Sequence, residues 1–253
     1  MAGVSLAPDW PAPARVLALS TRRDGGCSAA PYDSFNLAAH VGDDPVAVQA
    51  NRDRLARLLP GGCSVQWLTQ VHGTRVIEAG EEGVEPEADA CWTRTPGRAC
   101  AVLTADCLPV LVCSVDAEVV AAAHAGWRGL LGGVLERTIA AMGIAPDRLL
   151  AWLGPAIGPG AFEVGAEVRE QFLAAAPAAD AAATDAGFIP NVARPGHYFA
   201  DLYALARLRL AAAGVRRVWG GNDCTYSAGD RYFSYRRDGV TGRMASLILL
   251  RPA

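Results

Sequence analysis

The sequence predicts an α/β protein of the α+β sandwich type, in which helices pack on a central mixed sheet. Three observations support this fold class. Short apolar runs of strand length alternate with segments whose apolar residues recur at helical spacing. The clearest strand patterns lie on both sides of the Ala/Pro/Asp-rich segment 174–187, which is typical of a surface insertion. Because no other stretch resembles an interdomain spacer, residues 1–253 are expected to form a single domain.

The first elements follow from local signals. Residues 14–22 form a predicted strand that runs into a Gly-rich loop. A helix is expected to begin at Pro45, because Asp44 is a suitable N-cap and proline is favoured at the first helical position. Apolar residues at helical spacing give this helix one buried face. Two short strands then flank the turn that contains His72, at 65–69 and 74–78.

The middle of the chain is rich in strand signals. Residues 99–113 form an apolar run, 114–118 a turn, and 119–129 a second run in the opposite direction. This arrangement places Cys107 within a strand and His124 at the end of the next one. The remaining elements are predicted helices at 129–143, 166–176 and 199–213, strands at 148–153 and 216–221, and a closing hairpin at 233–251.

Composition excludes several classes of function. A formal net charge of -3 offers no electrostatic attraction for nucleic acid or an anionic membrane. The first residues lack the basic and apolar regions of a signal peptide, and no apolar run reaches the roughly 18 residues of a membrane span. We therefore expect a cytoplasmic protein. Its seven cysteines are odd in number and lack CxxC spacing, which favours free thiols in a reducing compartment.

Three residues form a candidate metal site, namely His72, Cys107 and His124. Pro109 cannot donate to a strand ladder, so the strand near Cys107 should be irregular or at an edge, which would bring the thiol to a cleft. Two imidazoles and a thiolate suit zinc or copper, and three ligands leave one position open, as in catalytic sites. From the residues alone two alternatives stay open: a core cysteine with structural histidines, or a Cys–His nucleophile pair.

The blocks around these residues resemble the signature of the YfiH/laccase-domain family, also called multicopper polyphenol oxidase or peptidoglycan editing factor. The resemblance spans nearly the whole chain. It is carried by six blocks: STRRDGGCSAAPYDSFNLAAHVGDD, QVHGTRV, LTADCLPVL with AHAGWRG, GPAIGP, NDCTYS and FSYRRDGVTGR. It implies a sandwich fold similar to that of the cytotoxic necrotizing factor toxins, and metal ligation by His72, Cys107 and His124.

The same resemblance implies a zinc enzyme, with copper as the alternative metal. Family members are described as purine nucleoside phosphorylases that cleave adenosine, inosine and methylthioadenosine and also deaminate adenosine. The partners would be a purine nucleoside and phosphate. Arginine binds phosphate oxygens two at a time, and we expect this role for three arginines and, more weakly, one asparagine. These residues are Arg22, Arg128, Arg236 and Asn36.

Each candidate has a structural alternative. The arginines could be surface residues, Asn36 a turn former, and Trp127 a core aromatic rather than a purine-stacking group. Three other functions compete with the phosphorylase: a Cys107–His124 hydrolase that edits peptidoglycan precursors, a copper-dependent polyphenol oxidase, and a non-enzymatic zinc or interaction module. The expected assembly is a monomer or a small homo-oligomer.

Overall fold

The computed structural model describes residues 4–80 and 83–252. Over these residues the chain forms fourteen strands and seven α-helices. The strands are β1 (Ser5–Leu6), β2 (Val16–Thr21), β3 (Ser64–Gln66), β4 (Val76–Glu78), β5 (Ala90–Thr93), β6 (Arg98–Thr104), β7 (Leu108–Ser114), β8 (Val120–Ala125), β9 (Leu149–Leu153), β10 (Glu163–Gly165), β11 (Phe188–Pro190), β12 (His197–Ala200), β13 (Val218–Gly220) and β14 (Met244–Leu250). The helices are α1 (Pro45–Leu58), α2 (Trp127–Gly132), α3 (Val134–Met142), α4 (Ala166–Ala175), α5 (Ala181–Ala186), α6 (Leu202–Ala212) and α7 (Tyr235–Asp238).

Two large mixed sheets dominate the fold. The first sheet has the order β1-β2-β14-β6-β3, and the second has the order β13-β9-β7-β8-β5-β4. Most neighbours are antiparallel, but β3 runs parallel to β6, β4 to β5, and β13 to β9. A small antiparallel sheet, β10-β12-β11, lies apart from both. The predicted mixed α/β sandwich is confirmed, with two large sheets in place of one central sheet.

The alternation of side chains shows how the sheets stack. Cys100 and Val102 on β6 share one buried cluster with Leu111 on β7 and Ala122 on β8, so this cluster lies between the two sheets. The intervening residues of β6 and β14 pack with Leu55 of α1 on the outer face of the first sheet. The outer face of the second sheet is covered by helices α3, α4 and α6. The layers are therefore helix, sheet, sheet and helices.

Several predicted elements are confirmed. Strand 14–22 is β2, and α1 begins at Pro45 with the Asp44 carboxylate accepting the Val46 amide at 2.9 Å. Helix 166–176 is α4, strand 148–153 is β9, and strand 216–221 contains β13. Of the described helices, none is both long and apolar enough to cross a membrane.

Other predicted elements are wrong. The helix expected at 129–143 is divided into α2 and α3 by Gly133, whose φ of 93° interrupts the helical path. The expected closing hairpin 233–251 is the short helix α7 followed by β14, which lies in the middle of the first sheet between β2 and β6. Long-range pairing with β2 and β6 determines the place of β14, and local spacing does not report it. By contrast, the segment 174–187 is mostly exposed, as expected for a surface insertion, although it contains α5, and the helix expected at 199–213 is confirmed as α6, which follows β12.

Candidate metal centre

The candidate metal centre lies where the chain twice crosses from one large sheet to the other. The loop that carries His72 connects β3 of the first sheet to β4 of the second, and the turn that carries Cys107 connects β6 to β7. His124 is on β8, on the same side of the strand as Val120 and Ala122, whose side chains lie between the sheets. Both crossovers and the end of β8 therefore meet at one end of the sandwich.

Cys107 lies in the turn between β6 and β7. The sequence-based prediction that it lies within a strand is therefore wrong. The turn is shaped by Asp106, whose φ of 97° is uncommon for a residue with a side chain. The Asp106 carboxylate accepts hydrogen bonds from the Thr225 hydroxyl at 2.6 Å and from the Arg236 amide at 2.7 Å. Pro109 is at the second position of β7, a strand that pairs with β8 and β9 and so is central. The break at Cys107 comes from the crossover rather than from an edge.

A buried carboxylate, Asp89, fixes both histidines. Its side chain is fully buried and accepts the His124 Nδ1 group at 2.8 Å and the His72 amide at 2.9 Å on the same oxygen. The other oxygen accepts the Gly73 amide at 2.7 Å and the Val71 amide at 3.3 Å. These bonds hold the loop in a shape in which His72 has a φ of 60°. With Nδ1 donating to Asp89, the Nε2 lone pair of His124 is free for a ligand.

The three candidate ligands are close enough to share one ion. The Cys107 Sγ is 3.8 Å from His72 Nε2, and the ligand atoms of all three residues lie within 4.8 Å of one another. Tetrahedral zinc with sulfur and nitrogen ligands requires ligand atoms about 3.5 Å apart, so a small inward adjustment of the side chains suffices. Gly126 permits this approach, because a Cβ there would lie 2.9 Å from the Cys107 Sγ. The donor set therefore fits a borderline-soft divalent metal.

The charges at the site favour ligation. Burial would raise the pKa of the Cys107 thiol, but the charge of His124 and hydrogen bonds from both imidazoles lower it to about 6. Burial would lower the pKa of His124, but the Cys107 thiolate and Asp89 raise it to about 9. Without a metal, the pair is therefore a thiolate and an imidazolium at neutral pH. The thiolate is the form of cysteine that binds a metal.

A cleft of about 420 Å³ opens beside the three ligands. This volume falls within the range of small-molecule sites. Phe162 and Tyr235 supply aromatic surface, and Tyr235 is 61% exposed. The cationic side chains on the cleft are Arg236 and Arg243, and His40 adds an imidazole. Together these groups offer a flat apolar surface and positive charge beside a metal-ligating cluster.

The residues predicted to bind phosphate lie in different places. Arg236 lines the cleft, with its guanidinium 5.3 Å from the centre of the Phe162 ring. Arg128 is exposed on α2 and lies over Trp127 at 4.3 Å, while Trp127 packs against the core beneath the second sheet. Arg128 and Trp127 do not line the cleft.

Arg22 and Asn36 also lie outside the cleft lining. Arg22 belongs to the end of β2, where its amide donates to the Val4 carbonyl at 2.9 Å. Asn36 is fully buried and supports its own loop, since its carbonyl accepts the Ala38 amide at 3.1 Å and the Arg243 amide at 2.9 Å. The phosphate role of Arg22, Arg128 and Asn36 stays a prediction.

The sequence does not single out three residues that line the cleft or contact its histidines. Asp89 lies in the bend directly before β5 and follows Glu85 and Glu87 in an acidic segment, so the sequence does not distinguish it from those neighbouring acids. Arg243 lies in the closing segment that was expected to be a hairpin, and Phe162 follows the turn-rich residues 154–161. None of the three carries a local signal, because contacts between segments far apart in the chain bring them to the site.

Comparison with protein families gives one match over most of the chain. Residues 17–251 match the model described as multi-copper polyphenol oxidoreductase laccase. Among curated proteins, a purine nucleoside phosphorylase of Pseudomonas aeruginosa is 56% identical over 97% of this chain and 98% of its own length. The purine nucleoside phosphorylase YfiH of Escherichia coli is 53% identical over 97% of this chain and 98% of its own.

Solved structures of similar proteins share the fold. The crystal structure of a Neisseria meningitidis protein, NMB0706, superposes with a TM-score of 0.91 at 51% sequence identity, covering 98% of this chain and 99% of that one. The crystal structure of YlmD from Geobacillus stearothermophilus has a TM-score of 0.89 at 32% identity, covering 100% and 98%. The similarity of fold therefore extends over nearly the whole chain.

Proposed function

The chain belongs to the multi-copper polyphenol oxidoreductase laccase family, and we propose that it is a metal-dependent purine nucleoside phosphorylase, the activity for which its curated relatives are named. Its substrates would be adenosine, inosine and methylthioadenosine, each converted to the free base and the corresponding pentose 1-phosphate. The observation that carries the proposal is the group His72, Cys107 and His124 at the wall of a cleft that also holds aromatic and cationic side chains. The relatives named purine nucleoside phosphorylase over nearly the whole chain support it.

Phosphorolysis defines what the cleft must do. A phosphate oxygen forms a bond to the anomeric carbon of the sugar while the bond from that carbon to the purine nitrogen breaks. The electron pair of the broken bond goes to the purine, which takes up one proton as it leaves. Hydrogen phosphate loses one proton when it becomes an ester, so the reaction is balanced. The cleft must therefore hold a dianion beside the sugar and stabilise charge that develops on the base.

The side chains of the cleft match these demands. Phe162 and Tyr235 offer ring surface on which a purine can stack. Arg236, which is exposed, and Arg243, which is half-buried, supply positive charge for phosphate. A divalent metal bound by His72, Cys107 and His124 would supply Lewis-acid chemistry at the same wall of the cleft. We propose zinc as this metal, with copper as the alternative, because the donor set suits both.

We propose adenosine deaminase activity at the same site. This reaction replaces the amino group of adenosine with an oxygen from water and releases ammonia, so it requires no phosphate. The protein's part is to hold the base against the ligating cluster and to move protons.

A second candidate function rests on a separate observation. Asp89, His124 and Cys107 have the order of acid, base and thiol that occurs in cysteine hydrolases, and the pKa of the thiol is lowered to about 6. A hydrolase of this kind would cleave an amide, such as that of a peptidoglycan precursor, without any metal. We favour the phosphorylase because both imidazoles approach the thiol, as ligation of one ion requires.

Copper-dependent oxidation of phenols is the third candidate, and the family description names it. Four-electron reduction of oxygen by several coppers requires further histidine clusters. Within residues 4–80 and 83–252, the group of His72, Cys107 and His124 is the one such cluster. We therefore rank phenol oxidation below the phosphorylase.

The setting of the enzyme follows from the same sequence features. We propose that residues 1–253 act as one cytoplasmic catalytic domain that functions as a monomer or a small homo-oligomer. Neither a nucleic acid nor a membrane is expected as a partner, since the formal net charge is -3.

The direct test is a product analysis. Purified protein of known metal content is incubated with adenosine, with and without phosphate, and the products are separated by chromatography. We expect adenine and ribose 1-phosphate only with phosphate, inosine in either case, and loss of both activities in Cys107→Ala. Turnover that survives complete metal removal would transfer the assignment to the thiol hydrolase. Failure to convert any purine nucleoside would overturn the proposal.

A further inference from the structure

The cleft contains two arginines that are not neutralised by a carboxylate. The ion pairs among the described residues engage eight other arginines, and neither Arg236 nor Arg243 is in any of them. Asp106 is the acidic residue on the cleft wall, and both of its oxygens are already bonded, one to Thr225 and one to the Arg236 amide. The part of the cleft lining that carries Arg236 and Arg243 is therefore a cationic surface with uncommitted donors.

Arg243 is held in place while part of its guanidinium stays available. Its Nη1 donates to the carbonyls of Thr241 at 2.9 Å and Gly242 at 3.0 Å, and its backbone amide donates to the Asn36 side chain at 2.9 Å. The Tyr235 ring lies 5.8 Å from the guanidinium carbon. Within the described part of the chain, Nε and Nη2 have no acceptor. These two groups form the edge of the guanidinium that binds two oxygens in parallel.

His40 adds a further polar group beside this arginine. It lines the same cleft, and burial and the neighbouring charge of Arg243 lower its pKa below the ordinary value of 6.5. Burial also lowers the pKa of Arg243, which reflects partial removal of its guanidinium from water. A guanidinium that has lost part of its hydration gains more from an anionic ligand than one at the open surface.

We infer that Arg243, with Arg236 and His40 beside it, forms the subsite that binds inorganic phosphate in this cleft. Arg243 would bind two phosphate oxygens through Nε and Nη2. The inference rests on the proposed phosphorylase function and assigns the phosphate to the arginine-lined part of the cleft, beside the metal ligands. Asn36 would then act through Arg243 as a positioning residue rather than as a phosphate ligand, because its carbonyl holds the Arg243 amide.

The test compares three variants of the metal-loaded protein. Arg243→Gln removes the charge and the paired donors, Arg243→Lys keeps the charge but not the paired geometry, and Arg54→Gln removes one charge from the exposed face of α1 as a matched control. Phosphate binding is measured by calorimetric titration, and the KM values for phosphate and for the nucleoside are measured separately. Thermal unfolding reports whether each variant is folded.

We expect Arg243→Gln to raise the Kd and the KM for phosphate by about 10- to 100-fold, with the KM for the nucleoside within about two-fold of the wild type. Arg243→Lys should be intermediate and Arg54→Gln unchanged. If Arg243→Gln does not fold, the Kd and KM for phosphate are compared in Arg243→Lys and His40→Gln instead. A folded Arg243 variant that binds phosphate like the wild type overturns the subsite, as does an equal rise in the nucleoside KM.

The two proposals fail in different ways. Phosphate binding that depends on Arg243, without turnover of any purine nucleoside, would support the subsite and overturn the phosphorylase. Phosphorolysis with an unchanged phosphate KM in Arg243→Gln would support the phosphorylase and overturn the subsite.

Discussion

Cys107 and Cys113 lie at the two ends of strand β7, yet their chemistry is opposite. Cys113 is fully buried between the sheets, and burial raises its pKa to about 12. Cys107 precedes the strand, in the crossover, where two imidazoles lower its pKa to about 6. The residue type is the same, so the position along the sandwich decides the outcome. Thiols in the interior of this fold stay protonated. At the end of the sandwich where the chain crosses between the sheets, the thiol of Cys107 is ionised.

The comparison extends to carboxylates. Asp89 is as buried as Cys113, but it is bonded by His124 and three backbone amides, and these bonds lower its pKa despite the opposing effect of burial. A buried charge is stable here because four donors meet it. The crossovers supply these donors, since a chain that leaves a sheet has amides without ladder partners.

The largest expected effect separates the two cysteines. Cys107→Ala should remove the bound metal and lower phosphorolysis by at least about 1,000-fold, because it deletes one of three ligands. Cys113→Ala should keep both, and should lower the free energy of unfolding by about 1 to 2 kcal/mol through the lost buried sulfur. Metal content by mass spectrometry and product formation are the measurements. Equal activity in the two variants would contradict the assignment.

The second effect concerns the carboxylate. Asp89→Asn keeps the shape but replaces one acceptor oxygen with a donor, which cannot satisfy both His124 and the amides of the His72 loop. We expect metal affinity to fall by about 10- to 100-fold, as is usual for the partners of ligating histidines. Asp116→Asn, in a surface turn, is the matched control and should bind metal normally. Affinity is measured by competition with a chelator, and unchanged affinity in Asp89→Asn would remove the positioning role.

The third effect is a pH dependence of the thiol. Alkylation of Cys107 in metal-free protein should rise roughly ten-fold from pH 5 to pH 7, because the thiolate forms with a pKa of about 6. Cys113 should stay unmodified in the native protein over the same range. Peptide mass spectrometry after iodoacetamide treatment distinguishes the two positions. A midpoint near the ordinary value of 9.0 would show that the imidazoles do not act on Cys107.

The pH dependence of the free energy of unfolding reports less on the Cys107–His124 pair than alkylation does. The lowered pKa of Cys107 contributes stability that is complete above pH 9.0 and is lost as the pH falls through about 6. The raised pKa of His124 contributes stability that is complete below pH 6.5 and is lost as the pH rises through about 9. The two contributions change in opposite directions, because folding moves a proton from thiol to imidazole. The pair should therefore leave the pH dependence of unfolding nearly flat.

The smallest effect is steric. Gly126 has a φ of -61°, which alanine adopts freely, but an added Cβ would approach the Cys107 Sγ to 2.9 Å and the His72 Cδ2 to 3.1 Å. Overpacking of this kind costs about 1 kcal/mol, so Gly126→Ala should weaken metal binding by about five-fold. Gly160→Ala is the control, since nothing in the described part of the chain lies within 4 Å of its Cβ position. Identical metal affinity in both variants would show that the ligands can move apart.

The sequence could predict the local part of this structure. The N-cap at Asp44 and the β2, α4 and β9 patterns are fixed by neighbours in the chain, and the structure agrees with them. It could not place Cys107 correctly, because the run 99–113 is continuous in apolar character while its two strands belong to different sheets. A pattern of period two reports burial but not which sheet a strand joins.

The site shows the same limit. His72, Cys107 and His124 were selected from family blocks, and their spacing alone favoured no common site. Asp89 and Arg243 were missed, since their roles depend on contacts between segments far apart in the chain. Arg128, which adjoins a ligand block in sequence, lies over Trp127 away from the cleft lining. Nearness along the chain is therefore a weak guide to the lining of a site built at crossovers.

We propose that His72, Cys107 and His124, at one end of the sandwich, bind a metal on which phosphorolysis depends. The most direct measurement is the rate of adenosine phosphorolysis as zinc is added back to metal-free protein. We predict that the rate rises linearly and stops rising at one metal ion per chain, and that Cys107→Ala shows no rise. A metal-free protein that is as active as the loaded one would contradict the claim.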